Sequence, residues 1–283
     1  MDSLLTRLMD AQNTWVRPLG DIVQRIVKAV FGPIRPIRDF LNGTWLGHSV
    51  HGALTDLPIG VFTLVILFDI LGAADAARIS LVVGILATVA AAVAGYADYA
   101  DTDGRARDRA TLHSTIMVVA LVLYLISLVT RIGEIGVPPL GLALSVVAYV
   151  TITAGAYVGG DVVYALGNMV SRHAWRPKGA KWAPLQVEGE LADGVPTKAM
   201  MGAQALLLVK EGPSIHALHD TCAHAGAPLH EGRIVDGCIE CPWHQSRYRL
   251  RDGRHVQGPT TFDQPAYEVR TRDAGGWEAR RVS

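Results

Sequence analysis

LPIGVFTLVILFDILGAA, residues 57–74, is apolar from end to end apart from Asp69. Three more runs follow it: 79–97 without a charge, 112–130 without one if His113 is neutral, and 135–160 again charge-free. Each is about as long as the ~20 residues a helix needs to cross a bilayer core. Buried helices of water-soluble proteins rarely stay uncharged for this length four times in succession, so the runs predict a membrane α-helical bundle of four transmembrane helices. The whole chain agrees: of 283 residues, 50% are hydrophobic and 18% charged, with a formal net charge of zero. That balance excludes a disordered chain and gives no basic excess for binding nucleic acid. Three cysteines are too few for a disulfide scaffold.

The rows Ala87, Ala91, Gly95 and Thr151, Gly155, Gly159 place small residues every fourth position, where helices in lipid can pack closely. Chance in a chain rich in Ala and Gly is the alternative. Thirteen Lys and Arg lie on one side of the spans (Arg7 to Arg38, Arg105 to Arg109, Arg172 to Lys181), against Arg78 and Arg131 on the other. The positive-inside rule then predicts a multi-pass protein of the cell inner membrane with both termini in the cytoplasm. The first 30 residues lack a continuous apolar run, and no secretory signal peptide is expected. Within segment 1–46, Ile22, Val23, Ile26, Val27, Val30 and Phe31 share a helical face opposite Arg25 and Lys28. An amphipathic helix at the cytoplasmic interface is expected, with packing onto the rest of the protein as the alternative. The membrane domain is expected over 47–168.

After a linker at 169–183, the texture changes. Short apolar runs such as 205–209 alternate with turns such as Asp236-Gly237 and Asp252-Gly253, which predicts a small all-β domain over 184–283. Within it stands Cys222-Ala-His224, then 16 residues, then Cys241-Pro-Trp-His244. Two thiolates and two imidazoles suit zinc chemically. A zinc finger, however, pairs its cysteines together, whereas here each half supplies one Cys and one His. That interleaving suits a two-iron cluster in which one iron takes both thiolates and the other both imidazoles.

The motif Cys222-Ala-His224-Ala-Gly226 with Cys241-Pro-Trp-His244-Gln-Ser246-Arg-Tyr248 resembles the Rieske [2Fe-2S] family. Pro228-Leu229 and Gly258-Pro259 fit the same pattern, and the resemblance covers roughly the last 100 residues. It implies a Rieske-type all-β fold, with Cys222 and Cys241 on a buried iron and His224 and His244 on an outer iron at the exposed tip. The extra cysteine pair of respiratory Rieske proteins is replaced by Ala227 and Trp243, so no bridging disulfide is expected. Cys238 is expected to be a free buried thiol on a strand. Ser246 and Tyr248 lie where high-potential members carry hydroxyls that tune the cluster; ordinary loop and core roles are the alternative. A midpoint potential between the ferredoxin and respiratory extremes follows from that placement.

The bundle resembles a four-helix bacterial membrane family of unknown function, with its Gly47-His48-x-x-His51-Gly52 opening and Asp56-x-Pro58. In the expected topology His48, His51, Asp56, Asp98, His113 and Asp161 gather at the cytoplasmic end. Ionisable residues at membrane depth are functional candidates. His48 or His51 with His113 could ligate haem b or a metal ion, or the group could hold a quinone; helix capping is the competing reading. Asp69, nearer the far side, is expected to be a lone carboxylate. The function expected is a membrane-anchored carrier of single electrons for a redox partner at the cytoplasmic face. The alternatives are the ferredoxin component of a separate oxygenase subunit and a redox sensor. A terminal oxygenase needs a mononuclear iron site, and only residues 245–283, with His255 alone as a further histidine, follow the motif.

Overall fold

The computed structural model describes residues 4–175, 181–273 and 275–282, so Arg176 and Lys178 of the expected linker lie outside the described residues. The chain forms two compact units, Met1–Leu41 with Ser49–Asn168 and Asn42–His48 with Met169–Ser283.

The first unit is helical: α1 (Leu4–Asp10), α2 (Asn13–Phe31), α3 (Arg35–Asn42, whose last residue belongs to the second unit), α4 (Val50–Leu54), α5 (Asp56–Ile70), α6 (Ala74–Tyr99), α7 (Gly104–Val129) and α8 (Pro139–Gly160), which ends in a π-turn at Asp161–Ala165. Four stretches are long and apolar enough to cross a membrane: Val50–Ile70, Ala74–Tyr99, Gly104–Val129 and Pro139–Ala165. The first begins earlier than the apolar run because Ser49 caps α4, its Oγ accepting from Gly52 N at 3.3 Å. Pro58 then offers no N–H to Leu54, and the helix steps at Thr55 into α5.

The third span starts well before Leu112 because its charged first turns find acids. Arg107 meets Asp21 at 2.7 Å, and Arg109 meets Asp10 at 2.6 Å and Asp161 at 3.0 Å. The fourth starts at Pro139 rather than Ile135, since proline belongs in a first helical turn. Arg38, Arg109 and Arg131, counted above as loop charges, are buried ion-pair partners, which removes two from the first side of the orientation count and one from the other.

Helix α2 packs Val16, Gly20, Gln24 and Val27 against the bundle, with Gln24 Nε2 donating to Thr102 O at 2.8 Å. The expected apolar face therefore divides. Val27 is buried, whereas Ile22, Ile26 and Val30 stay exposed on the flank. At the opposite end of the bundle Asp69 is not lone: Arg131 grips it with both terminal nitrogens, at 2.6 and 2.7 Å. Sequence separation hid this partner. Between these levels Phe62 stacks on Tyr124 with ring centroids 3.6 Å apart.

The second unit is all-β. Strands β1 (Ala183–Val187), β2 (Thr197–Met201), β3 (Gln204–Glu211), β4 (Ser214–His219), β9 (Ala266–Thr271) and β10 (Trp277–Arg281) close a barrel in the order β1-β10-β9-β4-β3-β2. Inserted between β4 and β9 is a four-stranded antiparallel sheet, β5 (Arg233–Val235), β6 (Cys238–Glu240), β7 (Arg247–Arg249) and β8 (His255–Gln257). Alternation along β3 and β4 fills the barrel with Leu206, Leu208 and Ala217, while Leu207 and Leu218 face the insert. Segment Asn42–His48 belongs here, with His255 Nε2 donating to Thr44 O at 3.1 Å.

Candidate metal centre

Two loops of the insert share one design. In the first, Cys222 N donates to Ala227 O at 2.8 Å and Gly226 N to Cys222 O at 3.0 Å. In the second, Cys241 N donates to Ser246 O at 2.8 Å and Gln245 N to Cys241 O at 3.1 Å. The fifth residue of each turn is left-handed, Gly226 at φ 91° and Gln245 at φ 63°. Matched turns put matched residues opposite each other: both thiols are buried and unoxidised, and the rings of His224 and His244 stand edge to face with centroids 5.0 Å apart.

The donor set fits a two-iron cluster. A hydrogen bond from Cys241, with others from Tyr248 and the backbone of His224 and Ala225, outweighs burial and draws the Cys222 thiol down to about 7. Its neighbour pushes the Cys241 thiol up, with burial adding to the effect. Two thiols that share a proton in this way are placed to act together on one positive centre. The four side chains could hold two irons, two donors to each.

Tyr248, fully buried, stands 3.1 Å from Cys222 Sγ through its hydroxyl. Ser246, equally buried, accepts from Thr260 N at 3.2 Å. His244 is partly exposed, but His224 is 6% exposed, so the expectation of two imidazoles at an open tip holds only for His244. The first loop is covered by its own linker: Arg172 N donates to Ala223 O at 3.2 Å and His173 Nε2 to Thr221 O at 2.8 Å. Cys238 is the buried strand thiol expected, 3.7 Å from Asp236 O.

Gln264 carried no signal in the motif, yet it braces the first loop. Its Oε1 accepts from Ala223 N at 3.0 Å and its Nε2 donates to Thr221 O at 2.7 Å. Gln264 is itself seated on Gly253 (φ +73°), where a Cβ would come 1.9 Å from Gln264 O. Gly253→Ala should therefore displace Gln264 and loosen the loop, lowering both thermal stability and iron retained per chain; unchanged iron content would refute the linkage. Beside it, hydrogen bonds from Arg249 hold the Asp252 carboxyl down at about 2. A carboxyl lowered from its ordinary 3.8 stabilises the fold above that value and loses the contribution as pH falls towards 2. Asp252→Asn should flatten this part of the acid unfolding curve, read as melting temperature against pH.

Of the membrane candidates, the structure brings together His51 and His113, with ring centroids 6.2 Å apart. Asp98 instead takes a hydrogen bond from Ser49 Oγ at 2.5 Å, and Asp161 pairs with Arg109. Asp56 is exposed at the start of α5, and His48 falls in the other unit. The small-residue rows receive rings as well as helices: a Cβ on Gly95 would lie 2.9 Å from His51, and one on Gly159 2.9 Å from His113.

Paired Cys/His turns on an insert in a small β-barrel define an iron–sulfur protein of the Rieske class. The chain belongs to the Rieske [2Fe-2S] family: residues 181–268 match the Rieske [2Fe-2S] domain, and 47–172 match a second family described as a predicted membrane protein (DUF2231). It is 34% identical over 94 residues to the anthranilate 1,2-dioxygenase ferredoxin subunit of Burkholderia cepacia, covering 33% of this chain and 87% of that protein. It is 32% identical over 73 residues to ferredoxin CarAc of Metapseudomonas resinovorans, 26% of this chain and 68% of that one. Among solved structures, the ferredoxin of carbazole 1,9a-dioxygenase from Nocardioides aromaticivorans IC177 matches with 27% identity, 35% of this chain, 98% of that chain and a TM-score of 0.31. The Rieske domain implies a [2Fe-2S] cluster and electron transfer.

Proposed function

We propose that this is a membrane-anchored Rieske protein that carries single electrons at the cytoplasmic face. Cys222 and Cys241 hold one iron of the cluster and His224 and His244 the other. The observation that carries the reading is the pair of matched turns, which set two buried thiols beside each other and two imidazole rings 5.0 Å apart. When bound, the cluster supplies a one-electron centre whose imidazole ligands make reduction easier than in an all-cysteine ferredoxin. The protein contributes the setting. Gln264 and the linker fix the first turn, and partly exposed His244 offers the side on which a redox partner can approach. Apart from the three buried arginines, the charge asymmetry of the connections supports a cytoplasmic domain. A membrane-impermeant reductant should then reduce the cluster in inverted inner-membrane vesicles and not in right-side-out ones; the opposite result overturns the orientation.

Tyr248 and Ser246 tune the potential. The Tyr248 hydroxyl donates to Cys222 Sγ, and a donor to sulfur favours the more negative, reduced state. Loss of one such bond, about 1 kcal/mol, corresponds to roughly 40 mV for one electron. Tyr248→Phe should lower the midpoint potential by about that much, measured by redox titration of the purified chain; an unmoved potential ends the tuning role.

The ferredoxin subunits among the relatives favour a second reading, in which the chain serves a separate oxygenase subunit. Its reduced form would then support turnover when mixed with that oxygenase. A carrier for a membrane-side quinone or haem would instead be oxidised within membranes that lack any oxygenase.

A further inference from the structure

The buried positions of the helical unit repeat. Pro58, Phe62 and Val65 of α5 have counterparts 62 residues on, at Ala120, Tyr124 and Ser127 of α7, and all six are buried. The same step takes His51 to His113 and Asp69 to Arg131. On the second helix of each hairpin the step is 64: Ala91 and Gly95 of α6 correspond to Gly155 and Gly159 of α8. The unit is therefore a duplicated hairpin, α4–α5–α6 followed by α7–α8. Helices α5 and α7 are one span apart and run in the same direction, so the repeats are parallel and their two-fold axis lies along the bundle.

A residue can touch its own repeat-mate only at that axis. Three pairs do so: His51 with His113, Phe62 with Tyr124, and Asp69 with Arg131. Phe62 with Tyr124 is packing, and Asp69 with Arg131 is a satisfied ion pair. The histidine pair is different. Each Nδ1 donates to a carbonyl of its own hairpin, His51 to Ala91 O at 2.8 Å and His113 to Gly155 O at 2.7 Å, and these two carbonyls are themselves repeat-mates. With the proton on Nδ1, the neutral ring carries its lone pair on Nε2. Neither Nε2 makes a hydrogen bond to any described residue.

Fixing one ring nitrogen on a carbonyl is how metal-ligating histidines are usually oriented. Metal–nitrogen bonds of about 2.0–2.1 Å place two imidazole centroids at most roughly 6.4 Å apart, with the metal between them. The observed 6.2 Å lies within that limit.

We propose that His51 and His113 form a bis-imidazole site on the axis of the duplicated hairpin and bind one transition-metal centre through their Nε2 atoms. The metal is a free ion of the copper type or the iron of a haem, and the site stands independently of the iron–sulfur reading. The test uses the purified full chain with its cluster oxidised. A Soret band in the isolated protein identifies haem iron. Without one, Cu(II) is added and followed by paramagnetic resonance, where one copper per chain split by imidazole nitrogens identifies the ion site.

His51→Asn and His113→Asn keep a side-chain N–H for the carbonyl and remove Nε2. Each should abolish the metal signal while the cluster signal persists as proof of folding, and Cys241→Ser should leave the metal signal in place. Absence of both haem and stoichiometric copper overturns the proposal, as does a metal signal that survives both asparagine variants.

Discussion

Cys241→Ser should yield a chain that still fractionates with membranes but retains neither the iron nor the visible absorption of the cluster. Serine keeps the turn, since its backbone N–H can still reach Ser246 O, but a hydroxyl does not replace the soft, ionisable thiolate that iron–sulfur clusters require. The loss should be complete because no substitute lies within reach. The only other thiol outside the pair, Cys238, lies on β6 and faces Asp236 O. Cys238→Ser is the matched control and should leave iron content and spectrum intact. A full spectrum in Cys241→Ser, or its loss in Cys238→Ser alone, would reverse the ligand assignment.

The second large effect is expected far from the cluster. The Asp69 side chain is fully buried and that of Arg131 2% exposed; Ser127 and Ser145 complete the hydrogen bonding around the guanidinium. Removing one partner strands a charge in an apolar bundle, at a cost of about 3–5 kcal/mol. Arg131→Met should therefore sharply lower the thermal stability of the helical unit in detergent. The double variant Asp69→Leu/Arg131→Met removes both charges and should recover most of the loss, because a buried ion pair is worth little more than apolar packing of similar volume. If the single variant melts like the parent, the pair is not the lock of this end of the bundle.

Residues 57–74 and the spacing of Cys222, His224, Cys241 and His244 were enough to anticipate a helical membrane unit and a β domain with paired loops. Both signals are local: an unbroken apolar run and a short motif need no knowledge of what they touch. The misread features all depend on distant partners. Asp69 looked alone because Arg131 is 62 positions away, and Arg105, Arg107 and Arg109 looked like loop charges because Asp10 and Asp21 lie almost a hundred residues earlier. Gln264 could not be recognised as a brace without the fold that lays it across Thr221 and Ala223. The hairpin repeat was legible in principle, but only His51 and His113 keep the same residue type at half-buried, axis-facing positions. The other axial pairs keep shape or charge complementarity, which an identity-based reading passes over.

Iron and acid-labile sulfide, measured on the same folded, detergent-purified sample, test the central assignment most directly. Two irons and two sulfides per chain are expected, with zinc below stoichiometry. Zinc in place of iron, or iron without sulfide, would contradict that assignment and would leave the matched Cys/His turns without an electron-carrying role.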